Sequence, residues 1–307
     1  MTQYDGYMGK VLMLDLSTGE SSEYPWADRD RELYIGAKGM ASKILFDNLT
    51  GNEDAFSEEN VIVVSTGPLT STSAPSSNRF NISTISPLTK ISTSSNCGGN
   101  FGYYLKQAGF DALVIKGKCS EPSWVEIYND SVTVHKAGDI WGKKVSETQE
   151  AIQEILDSRR GCRIKCGMAV IGPAGENLVK YAAVISGERA AGRAGVGAVF
   201  GSKNLKALVA GGNRVIKIRN PEKFKAHNIA WTDNLRKHPL TGNQLPKIGT
   251  AGLVSSMQVR GILSTRNFAK GQYDEFEKVS GEALAENCNV ANIGCMSCPI
   301  RCSRRVT

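Results

Sequence analysis

Through its first two hundred residues the chain is cut into short aliphatic and β-branched runs closed by turn-forming residues, and this pattern restricts it to a sheet-rich fold. The runs span 10–16, 61–64, 112–115, 124–128 and 168–171. Each is too brief for a buried helix. Ser17-Thr18-Gly19-Glu20 supplies a turn after the first run, and Asn129-Asp130-Ser131, between Tyr128 and the run opening at Val132, reads as a β-hairpin. Helical faces are few. One spans 141–156, with Val145, Thr148, Ile152, Ile155 and Leu156 on a single stripe, and a similar one spans 34–49. No internal repeat or low-complexity tract is evident.

After about Gly212 the composition turns to helix and loop, which places a domain boundary near Asn213. Pro221-Glu222-Lys223 opens a helix with proline and an acid in its first turn, a Gly-containing segment follows from Gly242 to Gly261, and another helix begins near Ser280. The second domain reads as unfinished at Thr307, as in a fragment of a longer protein. A chain of 307 residues with 41% hydrophobic residues can bury a proper core, and no apolar stretch nears the roughly eighteen residues that span a bilayer. The start Met1-Thr2-Gln3-Tyr4-Asp5-Gly6 lacks the basic and apolar regions of a secretory leader, so the expectation is a cytoplasmic protein whose eight cysteines are thiols. Lys and Arg exceed Asp and Glu by 37 to 30. The excess is spread along the chain and aromatic residues are not interleaved with it, which fits a pocket for an anionic cofactor better than a nucleic-acid surface.

Cys295, Cys298 and Cys302 stand at C-x2-C-x3-C spacing. Thiolates this close can reach one small inorganic core, as in iron–sulfur proteins. A zinc site normally pairs two such knuckles, and there is no second; His135, His227 and His238 are scattered and read as surface or packing residues. A four-iron cluster takes a fourth ligand. Cys288 is not expected to supply it, because 289–294 would have to reverse compactly.

Three polar, glycine-rich segments, 71–80, 92–102 and 187–197, combine small residues with Arg or Asn. Small side chains let backbone N–H groups approach an anion, and Arg offers a planar fork for phosphate. Together they read as a cradle for a large phosphate-bearing organic ligand. Neither a Walker loop nor a dinucleotide fingerprint with its ribose-binding acid is present. Cys97, inside the second segment, reads as a small packing residue.

The stretch from Gly9 (GKVLMLDLSTG), Ser65-Thr66-Gly67-Pro68-Leu69-Thr70, Ser77-Asn78-Arg79-Phe80, the run from Gly187 through Ala207 and the terminal cysteines resemble the tungsten-containing aldehyde ferredoxin oxidoreductases across the whole chain. The resemblance implies an α+β fold. Residues 1–213 would form a sheet-rich N-terminal domain of two β-sheets, the base for a pterin cofactor, and 214–307 the start of a mainly helical domain. It implies a tungsten or molybdenum bis-pyranopterin, a [4Fe-4S] cluster and Mg. Arg79, Asn96, Gly98, Arg189, Ala190, Gly192 and Arg193 fall at cofactor-binding positions, with the backbone carbonyls of Asn96 and Ala190 beside the Mg. Cys295, Cys298 and Cys302 match three of the four cluster ligands. The fourth ligand and the catalytic acid and histidine are expected beyond Thr307, so the chain alone is expected to be inactive.

The activity implied is oxidation of a small aldehyde to a carboxylic acid with ferredoxin as acceptor, in a homodimer or larger redox complex, without nucleic acid or membrane. An alternative keeps the cofactor and makes the chain the tungsten subunit of an aromatic acyl-CoA reductase-type complex. Another is a non-catalytic metal-binding fragment.

Overall fold

The computed structural model describes residues 3–288 and 290–307. The chain divides into two compact units, one of residues 1–72 and 77–219, the other of 73–76 and 220–307.

The first unit carries two six-stranded mixed sheets. The first sheet comprises β1 (Val11–Asp15), β2 (Ser21–Glu23), β3 (Ile62–Thr66), β4 (Phe80–Ile85), β5 (Ser92–Cys97) and β6 (Ala112–Lys116), in the order β2-β1-β6-β3-β4-β5. The second comprises β7 (Ser123–Tyr128), β8 (Ser131–Lys136), β9 (Gly167–Val170), β10 (Val184–Ser186), β11 (Arg189–Ala191) and β12 (Leu205–Gly211), in the order β11-β10-β9-β12-β7-β8. Period-two alternation assigns each strand's side chains to two cores. Leu12, Leu14, Leu113, Ile115, Leu208 and Ala210 enter a central core shared by both sheets. Val11, Ala112 and Val114 instead meet the apolar face of a helix outside the first sheet, and Ala207 and Val209 that of one outside the second. Those outer helices are α2 (Ala37–Asn48), preceded by α1 (Asp28–Tyr34), and α4 (Val145–Arg160). Met40, Ile44 and Leu45 of α2, and Ile152 and Leu156 of α4, are the buried residues. Each such side chain contributes about 1.5–3 kcal/mol on full burial.

Two short helices lie within the central core: α3 (Phe101–Gln107), through Phe101 and Leu105, and α6 (Val196–Ser202), through Val196, Val199 and Phe200. A single turn, α5 (Pro173–Glu176), precedes α6.

The two halves repeat one topology. In each, the first two strands form a hairpin, an outer helix follows, strands three to five run antiparallel, a core helix follows, and strand six returns between strands one and three, parallel to strand one. This corrects the expectation of no internal repeat. The duplication resides in strand order, while the side chains have diverged.

In the second unit, α7 (Pro221–Lys237) starts at Asn220, whose side chain accepts from the Lys223 amide at 3.0 Å, the N-cap arrangement. Next come α8 (Leu245–Ile248), α9 (Leu253–Val259) and α10 (Gly281–Asn287), the last capped by Ser280 accepting from the Ala283 amide at 3.1 Å. A hairpin of β13 (Val290–Ile293) and β14 (Ser303–Val306) follows. No described helix is long and apolar enough to cross a membrane.

Candidate functional site

Four strands build the first part of the site, within the first unit. The β4–β5 hairpin pairs Phe80 with Cys97 and Asn81 with Asn96, with Arg79 and Gly98 next to the paired ends of the two strands. In the other half, the β10–β11 hairpin pairs Ile185 with Ala190 and Ser186 with Arg189. Among the hydrogen bonds that join the halves, Arg193 N donates to Ser95 Oγ at 3.2 Å, and Phe101 N to Ser186 Oγ at 3.3 Å. Gly99 allows this approach. Its φ is +78°, and a Cβ there would sit 2.5 Å from the Ser186 carbonyl oxygen.

The duplicated topology makes Asn96 and Ala190 equivalent positions on the fifth strand of each half, with Gly98 and Gly192 two residues on. Arg79, Asn96, Ala190, Gly192 and Arg193 are exposed, Arg189 is half-buried and Gly98 is buried. The result is an open polar shelf at the adjoining ends of two related hairpins.

Sequence reasoning passed over the residues beneath this shelf. Asn81 is fully buried; its Nδ2 donates to Asn96 Oδ1 at 3.3 Å, and its Oδ1 accepts from Ser83 Oγ at 2.6 Å. Ser83 shares a further hydrogen bond of 2.7 Å with Ser94. With its carbonyl oxygen engaged, the Asn96 amide has N–H groups left to offer an anion. In the second half, Gln149 on α4 grips the hairpin turn: Gly187 N donates to its Oε1 at 2.9 Å, and its Nε2 donates to the Gly187 carbonyl at 3.4 Å. Only the alternation of polar residues with Phe80 and Ile82 could have marked β4 as a strand with one polar face. Cys97 is buried in the central core, as expected of a packing residue. His135 is also a packing residue, stacked on Trp124 with Nε2 3.0 Å from Glu126 Oε2.

The second part of the site lies in the second unit. Ile293 pairs with Ser303, so Gly294 to Cys302 form the loop of a hairpin, with Cys295 and Cys302 at its mouth and Cys298 between them. Cys298 N donates to the Cys295 carbonyl at 3.0 Å, closing the C-x2-C turn. Thr250 N donates to the Cys302 carbonyl at 3.2 Å. A cavity of about 460 Å³ is bordered by Cys295, Cys298, Gly294, Ser297, Ser73 and Pro75. Among the described residues no three His, Cys, Asp or Glu side chains are grouped as ligands of a single metal ion. A multi-iron core binds each thiolate at a different iron and so draws on sulfurs more widely spread. One short loop carrying three partly exposed thiols, two of which, Cys295 and Cys298, border the cavity, fits that donor set.

The aldehyde ferredoxin oxidoreductase N-terminal domain model matches residues 11–212, and that of domains 2 and 3 of the same family matches residues 227–307. The tungsten-containing aldehyde ferredoxin oxidoreductase of Pyrococcus furiosus is 41% identical over 300 residues, covering 97% of this chain and 49% of that protein. That of Thermococcus kodakarensis aligns with the same identity and coverage. Among solved structures, the active-site complex BamBC of benzoyl-coenzyme A reductase, in complex with 1,5-dienoyl-CoA, superposes with a TM-score of 0.83 at 30% identity, covering 99% of this chain and 47% of that one. The chain thus spans about half the length of the relatives it matches.

Proposed function

The chain belongs to the aldehyde ferredoxin oxidoreductase family, and on that premise we propose that it forms the cofactor-binding part of an enzyme oxidising small aldehydes to carboxylic acids, with ferredoxin as electron acceptor. The observation carrying this reading is the pair of equivalent hairpin ends, since a cofactor with two pterin halves calls for two related sets of donors. When bound, a tungsten bis-pyranopterin supplies the two-electron redox chemistry.

The chain's own residues bind and orient. Arg79, Arg189 and Arg193 offer charge-assisted hydrogen bonds to phosphate, the Asn96 amide adds a donor held by Asn81, and Gly192 exposes its backbone, while Gly98 is the proposed counterpart in the other half. Asn96 and Ala190 would hold a Mg ion through their backbone carbonyls, where it would offset phosphate charge. Cys295, Cys298 and Cys302 are three proposed ligands of a [4Fe-4S] cluster that carries electrons onward singly. Residues 1–213 form the proposed cofactor domain and 214–307 the beginning of the helical region. Turnover is proposed for the whole protein, with the remaining half found in the relatives, rather than for this span alone.

A second reading, a tungsten subunit of an aromatic acyl-CoA reductase-type complex, draws on the fold likeness to benzoyl-coenzyme A reductase. The higher identity to the aldehyde oxidoreductases favours the first.

Arg193→Glu tests the shelf, because a phosphate contact becomes a repulsion. Pterin content, measured by fluorescence after acid oxidation, should fall to background. Retention at the wild-type level would remove Arg193 from the site.

A further inference from the structure

Residues 73–76 lie between β3 and β4 in sequence, yet they belong to the second unit. They form a strap on the cysteine loop. Asn228 Nδ2 donates to Ser73 Oγ at 3.1 Å, and Ser76 N donates to the Ser297 carbonyl at 3.1 Å. Ser76 has a φ of +62°, in the left-handed region that non-glycine residues seldom occupy, and its Oγ lies 3.2 Å from Cys298 Sγ. The backbone hydrogen bond to Ser297 places Ser76 against the residue that precedes Cys298, which brings its hydroxyl within reach of that sulfur.

We propose that Ser76 is a positioning residue that donates its hydroxyl to the Cys298 thiolate and thereby raises the reduction potential of the cluster held by this loop; this rests on the cluster reading given above. The donor direction follows from valence. A thiolate bound to iron carries no proton, so sulfur can only accept, and the hydroxyl is the one group of the pair with a hydrogen to give. Electron density on the ligand sulfurs increases when a cluster is reduced. A donor aimed at one of them therefore favours the reduced form and makes the potential less negative. The sequence offers no hint of this, because Ser76 and Cys298 are 222 residues apart.

The test is a redox titration of the cluster-loaded protein followed by electron paramagnetic resonance, with iron–sulfur stretching read by resonance Raman. Ser76→Ala should lower the midpoint by roughly 59 mV, a tenfold change in the one-electron equilibrium. Ser76→Gly should match it, since glycine adopts the same φ while losing the hydroxyl. In both variants the Cys298 iron–sulfur stretch should rise in frequency and lose its shift in D2O. Ser73→Ala loosens the strap through Asn228 and leaves the hydroxyl in place, so its midpoint should stay at the wild-type value. The inference is overturned if both Ser76 variants titrate with wild type, or if Ser73→Ala moves the midpoint as far as they do. If wild-type protein holds no four-iron cluster, or keeps it unchanged in Cys298→Ser, the cluster reading itself is wrong and this inference goes with it.

Discussion

The two units are built on different physical terms. In the first, apolar side chains from eleven of the twelve strands and from four helices fill one central and two outer cores. In the second, no apolar side chain among the described residues of 220–307 is buried; α7 and α9 bury nothing, and Ile229, Trp231 and Phe268 are 61%, 54% and 82% exposed. Order there comes from the Asn220 and Ser280 caps, the β13–β14 hairpin and the strap at 73–76. The first unit therefore sets its hydrogen-bonded shelf on a buried core. The second draws its stability from polar and local contacts, and an inorganic core bound by its cysteines would add folding free energy directly.

The sharpest way to break this contrast is a pair of aromatic truncations. Phe80 is 1% exposed and packs edge-on against Phe101 at 5.4 Å between ring centres. Phe80→Ala should cost about 3–5 kcal/mol in urea unfolding. Trp231→Ala, on the exposed face of α7, should change stability by no more than about 0.5 kcal/mol. Equal losses would mean that the second unit has a core as strong as the first.

Lysine burial gives the next test, again confined to the first unit. Lys203 is fully buried, and its Nζ donates only to main-chain oxygens, of Gly117 at 2.8 Å and Glu58 at 3.1 Å. Burial pulls its pKa down to about 8. Below that value both folded and unfolded chains carry the proton. Between it and the ordinary lysine value of about 10.4, the unfolded chain alone binds the proton, so stability rises with pH. Wild type should gain on the order of 3 kcal/mol relative to Lys203→Met across this window, in denaturation midpoints measured at successive pH. A flat difference would show that the amine keeps its proton in the fold up to the ordinary lysine range.

A smaller effect concerns the shelf itself. Gln149→Ala removes both hydrogen bonds to Gly187. The cost should be about 1 kcal/mol, read as roughly fivefold faster hydrogen exchange at the Gly187 amide, with β12 unaffected. Unchanged exchange would mean the turn is held by the β10–β11 pairing alone.

The helices opened by Pro221 and Ser280 were legible in the sequence because each carries its own cap. The strands β1, β3, β6, β7 and β9 were legible as apolar runs because both their faces are covered. Strands β5 and β11 were harder: apart from Cys97 they are built of Ser, Thr, Asn, Arg and Ala, which read as polar, glycine-rich segments until cross-strand pairing makes them strands.

By itself the sequence determined the sheet-rich first part, the candidate shelf residues and the spacing of three thiols, because each depends on residues near one another along the chain. Only the tertiary structure decided that the first unit is a duplication, that Asn96 and Ala190 are equivalent, that Asn81 and Gln149 bond to Asn96 and Gly187, and that Ser76 contacts the cysteine loop. These relations are carried by strand order and by hydrogen bonds between distant residues. Neither leaves a local periodicity that a reading along the chain could detect.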